Sequence, residues 1–398
     1  MSQMRKFEHG AVSLFLVIIS ALLITTMTLA FIRIMIQDQE QARANDLSKS
    51  GLDSAYAGVE DAKRLLILYR KECPDGPGTS PQCQSWASLM DGTNCDTLQQ
   101  AQLAGTSTDR EVLLKQNEGD EQLQQAYTCV KVLLNTPYII GRLAPDVSKM
   151  VPLKGTDAFD RIEIEWFSQT DLSNSSASGS TGIDLPLDTS LPKRSDAAWP
   201  GNRPALMRLQ LIQFNEDRGF RLSEFNDDDS GTTNNATLYL KPSSIDGTGG
   251  SLGFADNIRK SQGGKIQPVL IKCDPNFSAT STTGQYACKA SITMPNPIGA
   301  TDANNRVAYL RLAAIYNSTT YKLSLWSGAN NVPFDGVQPL VDSTGRANDL
   351  FRRLSAHIDL GGSSIPQVEA AVDITGSLCK TFLVTDKTQD YTPGDCVD

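Results

Sequence analysis

Eight cysteines are the residues of this chain with the clearest capacity for chemistry. A zinc site needs closely spaced ligands, such as a C-x-x-C pair, or several histidines. The chain has no C-x-x-C pair and only two histidines, so we expect no metal site. An even number of cysteines after an apolar segment instead indicates disulfides in an oxidising compartment. The cysteines are Cys73, Cys83, Cys95, Cys129, Cys273, Cys288, Cys379 and Cys396.

The sequence does not determine how these cysteines pair. We adopt the arrangement in which each cysteine bonds to its neighbour along the chain. The predicted disulfides are therefore Cys73–Cys83, Cys95–Cys129, Cys273–Cys288 and Cys379–Cys396.

His357 is the only histidine after residue 9. A catalytic histidine needs a nucleophile and an orienting acid nearby, and the chain contains no G-x-S-x-G motif that would supply the nucleophile. His357 alternates with Ala356 and Ile358 in a strand pattern. We therefore interpret it as a solvated histidine on a strand.

Two groups of carboxylates are further candidates for a catalytic or ligand-binding role. Glu163 and Glu165 share one face of a predicted strand, where carboxylates usually meet Lys or Arg across the sheet. The run from Asp227 to Asp229 lacks the spacing of an EF-hand calcium loop, so a solvated turn is expected. The sequence therefore predicts no enzyme and no cofactor.

The charge balance bears on the class of partner. The chain has 45 acidic and 36 basic residues, and the basic residues are scattered. A nucleic-acid-binding protein needs a concentrated basic surface to neutralise phosphates. We therefore expect no nucleic-acid partner.

The elements that position these residues begin with a long apolar segment. Ala11 to Ile32 contains no charged residue. As a helix it would extend roughly 33 Å, enough to cross a bilayer core, and it is longer than the apolar part of a cleaved signal, which is about 7–15 residues. Arg5 and Lys6 precede it and predict a cytoplasmic N-terminus. Residues 11–36 are thus predicted to cross the cytoplasmic membrane once, with the residues that follow them outside.

The helical pattern does not stop at the membrane surface. Residues 37–72 contain no proline, so we predict one helix from Ala11 to about Lys71. A stripe of small residues follows its outer half at alternating spacings of four and three, and small residues allow another backbone to approach closely. The stripe could pack under the protein's own globular domain or contact other long helices in a filament, and the two are compatible along one helix because its outer end can be embedded while its membrane end is exposed. Its members are Ala44, Ser48, Gly51, Ala55, Gly58 and Ala62.

The first 70 residues resemble a type IV pilin. The short basic leader "MSQMRKFEHG", residues 1–10, ends in glycine before an apolar segment that continues as a long helix. The stretch "KSGLDSAYAGVEDAKRLL" is similar to the corresponding segment of PilX-type minor pilins. The resemblance implies that a prepilin peptidase cuts after Gly10 and that Ala11 becomes the new N-terminus. It also implies other pilin subunits and the membrane as partners, and a role in pilus assembly, filament initiation or capping, or surface adhesion.

One position departs from the pattern of the major pilins. They carry a glutamate at the fifth mature position, where this chain has Phe15. This departure implies a minor subunit rather than the repeating one. It also leaves open a membrane-anchored surface receptor or adhesin that never polymerises. The loop enclosed by Cys379 and Cys396 resembles the disulfide-closed C-terminal loop of many pilins.

The remainder predicts an α+β fold, with the long helix packed on a β-rich, largely antiparallel and disulfide-bonded extracytoplasmic domain. We expect a disulfide-bonded helical and loop region at residues 73–126, in which 73–95 form a loop and 95–105 and 111–127 each form a helix. Residues 127–398 contain about eleven strand candidates. We further predict a hairpin around Asn317 to Thr319 and another between Cys273 and Cys288.

Overall fold

The structure is a computed structural model. It describes residues 10–102 except 75, 77 and 79, residues 111–114, residues 125–173 except 146, and residues 182–187, 191, 199–215, 235–248, 252–254, 268–277, 285–299 and 306–360. The predicted C-terminal disulfide Cys379–Cys396, the leader residues before Gly10 and the turn at Asp227 to Asp229 lie outside the described residues.

Four helices and fourteen strands occur in the described part of the chain. The helices are α1 (Gly10–Glu72), α2 (Pro81–Leu89), α3 (Thr97–Gln100) and α4 (Gln169–Ser173). The first seven strands are β1 (Val112–Leu113), β2 (Ala126–Leu133), β3 (Ile139–Leu143), β4 (Ser148–Pro152), β5 (Phe159–Ser168), β6 (Leu206–Asn215) and β7 (Asn235–Ser243). The others are β8 (Val269–Lys272), β9 (Tyr286–Ile298), β10 (Arg306–Ile315), β11 (Thr319–Ser327), β12 (Asn330–Val332), β13 (Leu340–Ala347) and β14 (Leu350–His357).

The long N-terminal helix is confirmed. Helix α1 has 63 residues and ends at Glu72, directly after the basic residues Arg70 and Lys71 of its last turn. Basic side chains there interact favourably with the helix dipole. At 1.5 Å per residue the helix is about 95 Å long, so it can hold an apolar half and a polar half in one rigid element.

Two local predictions between Cys73 and Tyr127 are wrong. Helix α2 lies inside the segment predicted as a loop, because Ser80 caps its N-terminus by accepting a hydrogen bond from the Cys83 amide and Pro81 occupies the first turn. Strand β1 lies inside the segment predicted as a helix, where it pairs with the start of β2. Helix α3 lies where the other short helix was predicted.

The chain divides into two compact units, each built from separate stretches of sequence. The first unit comprises residues 1–74, 94–131 and 342–355. It contains α1, α3 and most of a four-stranded sheet of order β1-β2-β13-β14. Its buried side chains include Ala55, Leu65 and Leu66 from α1 and Tyr127 and Val130 from β2.

The second unit comprises residues 75–93, 132–341 and 356–398. It contains a five-stranded sheet of order β4-β10-β6-β7-β8 and a second of order β12-β11-β5-β9, with β3 also paired to β11. Among the described strands of this unit, neighbouring strands pair antiparallel except β7 with β8, which are parallel. One large apolar core contains side chains of both sheets, among them Trp166, Ile292, Leu209 and Leu310. The prediction of a β-rich, largely antiparallel domain is therefore confirmed.

The hairpin predicted around Asn317 to Thr319 is wrong. The consecutive strands β10 and β11 lie in different sheets, so their connection crosses from one sheet to the other. Tyr316, in the turn between β10 and β11, has a φ of 74°, which marks an abrupt change of backbone direction at this connection. The two ends of the other predicted hairpin do pair antiparallel, since Cys273 and Cys288 form a bridge and the Asp274 amide donates to the Ala287 carbonyl oxygen at 2.7 Å. Residues 278–284 between those ends lie outside the described residues.

Two predicted disulfides are confirmed. Cys95 bonds to Cys129 and Cys273 bonds to Cys288. The second bond links the end of β8 to β9, so it ties the two sheets of the second unit together. Cys73 and Cys83 are each disulfide-bonded as well.

Candidate functional site

The N-terminal half of α1 is a continuous exposed apolar surface. Within the described residues, α1 is the one helix long and apolar enough to cross a membrane, and its most apolar window has no buried residue. Phe15 is 67% exposed and Phe31 is 70% exposed. Large apolar side chains exposed on every face of one helix require an apolar environment, which the described part of the chain does not supply. This helix therefore supports attachment of the chain to a membrane through a single span.

Hydroxyl side chains within this segment satisfy their hydrogen bonds inside the helix. The hydroxyl of Thr25 donates to the Ala21 carbonyl oxygen at 2.8 Å, and that of Thr28 donates to the Ile24 carbonyl oxygen at 2.7 Å. Ser20 and Thr26 donate to carbonyl oxygens three residues earlier. The polar groups of the segment therefore impose little desolvation cost in an apolar surrounding.

The C-terminal half of α1 is anchored on the four-stranded sheet of the first unit. Along the predicted stripe of small residues, Ala44 is exposed and Ser48 is half-buried, whereas Ala55 and Ala62 are fully buried. Gly51 and Gly58 are also buried. The stripe thus continues from an exposed region into the globular part, and its buried residues are covered by the protein's own sheet.

Small residues on both elements allow a direct backbone contact between α1 and β13. A Cβ atom at Gly345 would lie 2.2 Å from the Ala55 amide nitrogen and 2.2 Å from the Gly51 carbonyl oxygen. A Cβ atom at Gly58 would lie 2.4 Å from Oγ of Ser343 and 2.9 Å from Cγ2 of Val130. The helix therefore approaches the sheet more closely than any larger residue would allow.

Polar contacts fix the rotation of α1 on this sheet. The Tyr127 hydroxyl donates to Oδ2 of Asp61 at 2.9 Å. The Arg352 guanidinium donates to Oγ of Ser48 at 2.8 Å, next to the point where the stripe becomes exposed. The neighbouring strands carry their own ion pair between Arg353 and Asp342. These contacts hold the exposed half of α1 in one direction relative to the sheet of its unit.

The carboxylates that the sequence singled out form ion pairs across the second unit's sheet. Oε1 of Glu163 lies 2.9 Å from Nζ of Lys289 on β9, and Oε1 of Glu165 lies 3.1 Å from Nζ of Lys322 on β11. Each strand carries its cation on the same face as the carboxylate. The expected cross-strand pairing is confirmed.

His357 lies on a strand as predicted, at the end of β14, but it is only partly solvated. The side chain is half-buried, and its ring centroid lies 6.1 Å from that of Tyr138. Burial lowers the pKa of His357, while a hydrogen bond with the Gln338 backbone opposes that shift. Its Nδ1 atom has no hydrogen-bond partner in the described part of the chain. The neutral ring therefore serves as packing at this strand end.

Sequence reasoning missed β13, which carries the central contact with α1. Its buried positions include Ser343, Gly345 and Ala347, which are too small or too polar to produce an apolar alternation. The spacing of Gly51, Ala55 and Gly58 on α1 did indicate that another backbone could approach the helix closely. It did not indicate which part of the sequence supplies that backbone. Within the described ranges, no group of three His, Cys, Asp or Glu side chains is arranged to hold a metal ion.

The chain shares no significant similarity with the proteins to which it was compared. No family model matches it, and neither the curated proteins nor the solved structures contain a significant match.

Proposed function

We propose that this chain is a minor type IV pilin-like subunit that acts in pilus assembly, in filament initiation or capping, or in surface adhesion. The observation that carries the proposal is the division of α1. Its apolar half is exposed, while the same helix continues into a half that is embedded in a sheet. Such an element can transfer as a rigid body from a lipid bilayer to a contact with other apolar helices.

In this proposal residues 11–36 cross the cytoplasmic membrane, and the β-rich units lie on its outer side. The confirmed disulfides support that orientation, because disulfides persist in oxidising compartments. Arg5 and Lys6 would remain in the cytoplasm. After assembly the units would be displayed at the cell surface.

The leader residues complete the proposal. A prepilin peptidase would cut after Gly10 and free the amine of Ala11. Phe15 would lie in the apolar contact where a repeating subunit carries a glutamate. A buried charge at that depth is costly unless it is paired, so a chain without the glutamate forgoes that pairing with a neighbour. The chain would therefore occupy few positions in a filament, and its role would be structural rather than enzymatic.

The experiment that tests this function is mass spectrometry of the intact N-terminus of protein taken from native membranes. A chain that begins at Ala11, with or without a methyl group, supports the proposal. A chain that still begins at Met1 or Ser2 contradicts it and favours a membrane-anchored receptor that does not polymerise.

A variant pair makes the measurement specific. Gly10→Val should abolish cleavage, since the peptidase of the proposal recognises the glycine before the cut. Gly51→Ala, in the same helix, should be processed as the natural chain is. The sheared surface fraction should contain the natural chain and Gly51→Ala but not Gly10→Val.

A further inference from the structure

The second unit contains an open cleft of about 500 Å³ beside the edge strands β8 and β9 of its two sheets. The disulfide Cys273–Cys288 links these strands at one end of the cleft. Residues 252–254 run along β9, where the Thr293 amide donates to the Leu252 carbonyl oxygen at 2.8 Å. The cleft is therefore bounded by covalent and hydrogen-bonded structure, and its volume is that of an ordinary small-molecule site.

Three cationic side chains line the cleft of this otherwise acidic protein. They are Arg161 on β5, Lys272 on β8 and Lys289 on β9, and among the described lining residues Asp246 is the single carboxylate. The charge of Lys289 is paired within the protein, since Lys289 forms an ion pair with Glu163. In the part of the chain that the structure describes, neither Arg161 nor Lys272 forms an ion pair with a carboxylate.

The Arg161 guanidinium is held in place without being neutralised. It donates to Oγ of Ser291 at 3.0 Å and to the Gly328 carbonyl oxygen at 2.6 Å. Its central carbon lies 5.5 Å from the centroid of the Trp326 ring. A cation that is positioned by neutral partners loses little conformational entropy when it binds an anion.

The remaining lining distinguishes an organic ligand from a bare ion. The hydroxyl-bearing residues Ser291 and Thr293 line the cleft, and Leu252, Ile271 and Ala290 add apolar lining. Hydroxyl groups can bond to the polar substituents of a ligand, and the apolar atoms can cover its carbon skeleton. The combination suits a compact molecule with one anionic group and several polar groups.

We propose that this cleft binds a small acidic carbohydrate, about the size of a monosaccharide, whose carboxylate or sulfate group contacts Arg161 and Lys272. The proposal does not depend on filament assembly or on cleavage after Gly10. It would give the displayed unit a specific chemical target, whichever way the chain is attached to the membrane.

Substitution of Asp246 should strengthen the binding of an acidic ligand, whereas loss of a cationic side chain should weaken it. Its carboxylate accepts a hydrogen bond from the Thr248 amide at 2.9 Å, and this bond lowers the pKa of Asp246. The group is therefore ionised at neutral pH and repels an anion in the cleft. Asp246→Asn retains an oxygen for the Thr248 amide and removes only the charge, so it should strengthen the binding of an acidic ligand.

The experiment is isothermal titration calorimetry of the full chain in detergent with glucuronate, glucose 6-sulfate and uncharged glucose. We expect saturable binding of one or both acidic sugars and none of glucose. Lys272→Gln should weaken the Kd about tenfold, since a hydrogen bond between charged groups is roughly twice as strong as a neutral one. Arg161→Gln should weaken it at least as much, and Asp246→Asn should tighten it.

Lys154→Gln is the matched control, because Lys154 is an exposed lysine of the same unit that lies outside the cleft and pairs with Asp335. It should leave the Kd unchanged. The proposal is overturned if neither acidic sugar binds at millimolar concentration, or if glucose binds equally well. It is also overturned if Lys154→Gln weakens binding as much as Lys272→Gln. Lys272 is exposed, so its substitution tests the site without disturbing the fold.

Discussion

Gly345 of β13 lies directly against the backbone of Ala55 in α1, with no room for a side chain between them. Gly345→Ala would place a methyl group 2.2 Å from the Ala55 amide nitrogen. Backbone atoms cannot move aside as a flexible side chain does, so helix and sheet must separate. We expect the free energy of unfolding to fall by about 1–3 kcal/mol or more, the usual cost of overpacking, as measured by urea denaturation in detergent.

Gly182→Ala is the control for this experiment, because a Cβ atom at Gly182 would have no neighbour within 4 Å among the described residues. It should unfold at the same urea concentration as the natural chain. Equal stability of Gly345→Ala and the natural chain would mean that the close contact between α1 and β13 is not present in solution.

Two glycines of α1 should respond in opposite ways to the same substitution. Gly58→Ala would place its Cβ 2.4 Å from Oγ of Ser343, whereas Gly51→Ala would place it 3.4 Å from Cγ of Arg352, an ordinary contact distance. Replacing Gly by Ala within a helix gains about 1 kcal/mol when no clash opposes it. We therefore expect Gly51→Ala to be neutral or stabilising and Gly58→Ala to be destabilising. Thermal unfolding monitored by circular dichroism would compare them, and the reverse order would contradict this packing.

The Tyr127–Asp61 hydrogen bond should make stability fall at alkaline pH. Burial raises the pKa of Tyr127 well above its usual value of 10, and the hydrogen bond and negative charge of Asp61 raise it further. The unfolded chain loses this proton near pH 10 while the folded chain retains it. The contribution is complete below that pH and is lost as pH rises from about 10 through the folded pKa.

Tyr127→Phe should therefore lower the free energy of unfolding by about 1 kcal/mol at neutral pH, the typical net contribution of a hydrogen bond. Denaturant titrations at neutral pH and above pH 10 would measure both values. The variant should lose less stability than the natural chain over that interval. An identical pH dependence in the two proteins would mean that Tyr127 ionises normally in the folded state.

The Cys273–Cys288 bond should contribute to stability through the segment it encloses. The two cysteines are separated by 15 residues. In the chain-entropy account a loop of that size corresponds to about 3 kcal/mol. Replacing both cysteines by serine should lower stability by about that amount under oxidising conditions. A reductant should remove the same contribution from the natural chain. The double variant already lacks the Cys273–Cys288 bond, so a reductant cannot remove that contribution from it.

Removal of residues 1–36 should convert the chain into one that is soluble without detergent. The large apolar side chains exposed in the described part of α1 are concentrated between Leu14 and Ile36, and the helix beyond Gln37 is covered increasingly by its own sheet. Size-exclusion chromatography and liposome flotation would measure the change. Aggregation of the shortened chain, or continued flotation with liposomes, would show that a second surface contributes to membrane attachment.

Apolar periodicity predicted the elements whose burial depends on large side chains. The uncharged residues from Ala11 to Ile32 marked the exposed helix, and alternation marked β5, in which Ile162, Ile164 and Trp166 are fully buried. The same signal fails where packing uses small residues. Strand β13 buries Ser343 and Gly345 because α1 lies too close for anything larger, so a well-buried strand has no apolar pattern to detect.

Which strands pair with one another was harder to predict from the sequence than where the strands lie. A turn such as Asn317 to Thr319 between two strands favours a hairpin when only neighbouring residues are considered. In the fold, β10 pairs with β4 and β6, while β11 pairs with β3, β5 and β12. Apart from β12, which directly follows β11, these partners are distant in sequence. The choice among them depends on how two sheets share one core. The cleft beside β8 and β9 could not be predicted for the same reason.

The hydrogen bond between Arg352 and Ser48 joins residues that are 304 positions apart. Ser48 is among the first residues to follow the apolar segment during synthesis, and Arg352 is made long afterwards. The outer half of α1 therefore lacks β13 and β14 until nearly the whole described chain has been synthesised. While the intervening residues are being made, the buried part of the small-residue stripe lacks the strand that covers it in the finished fold.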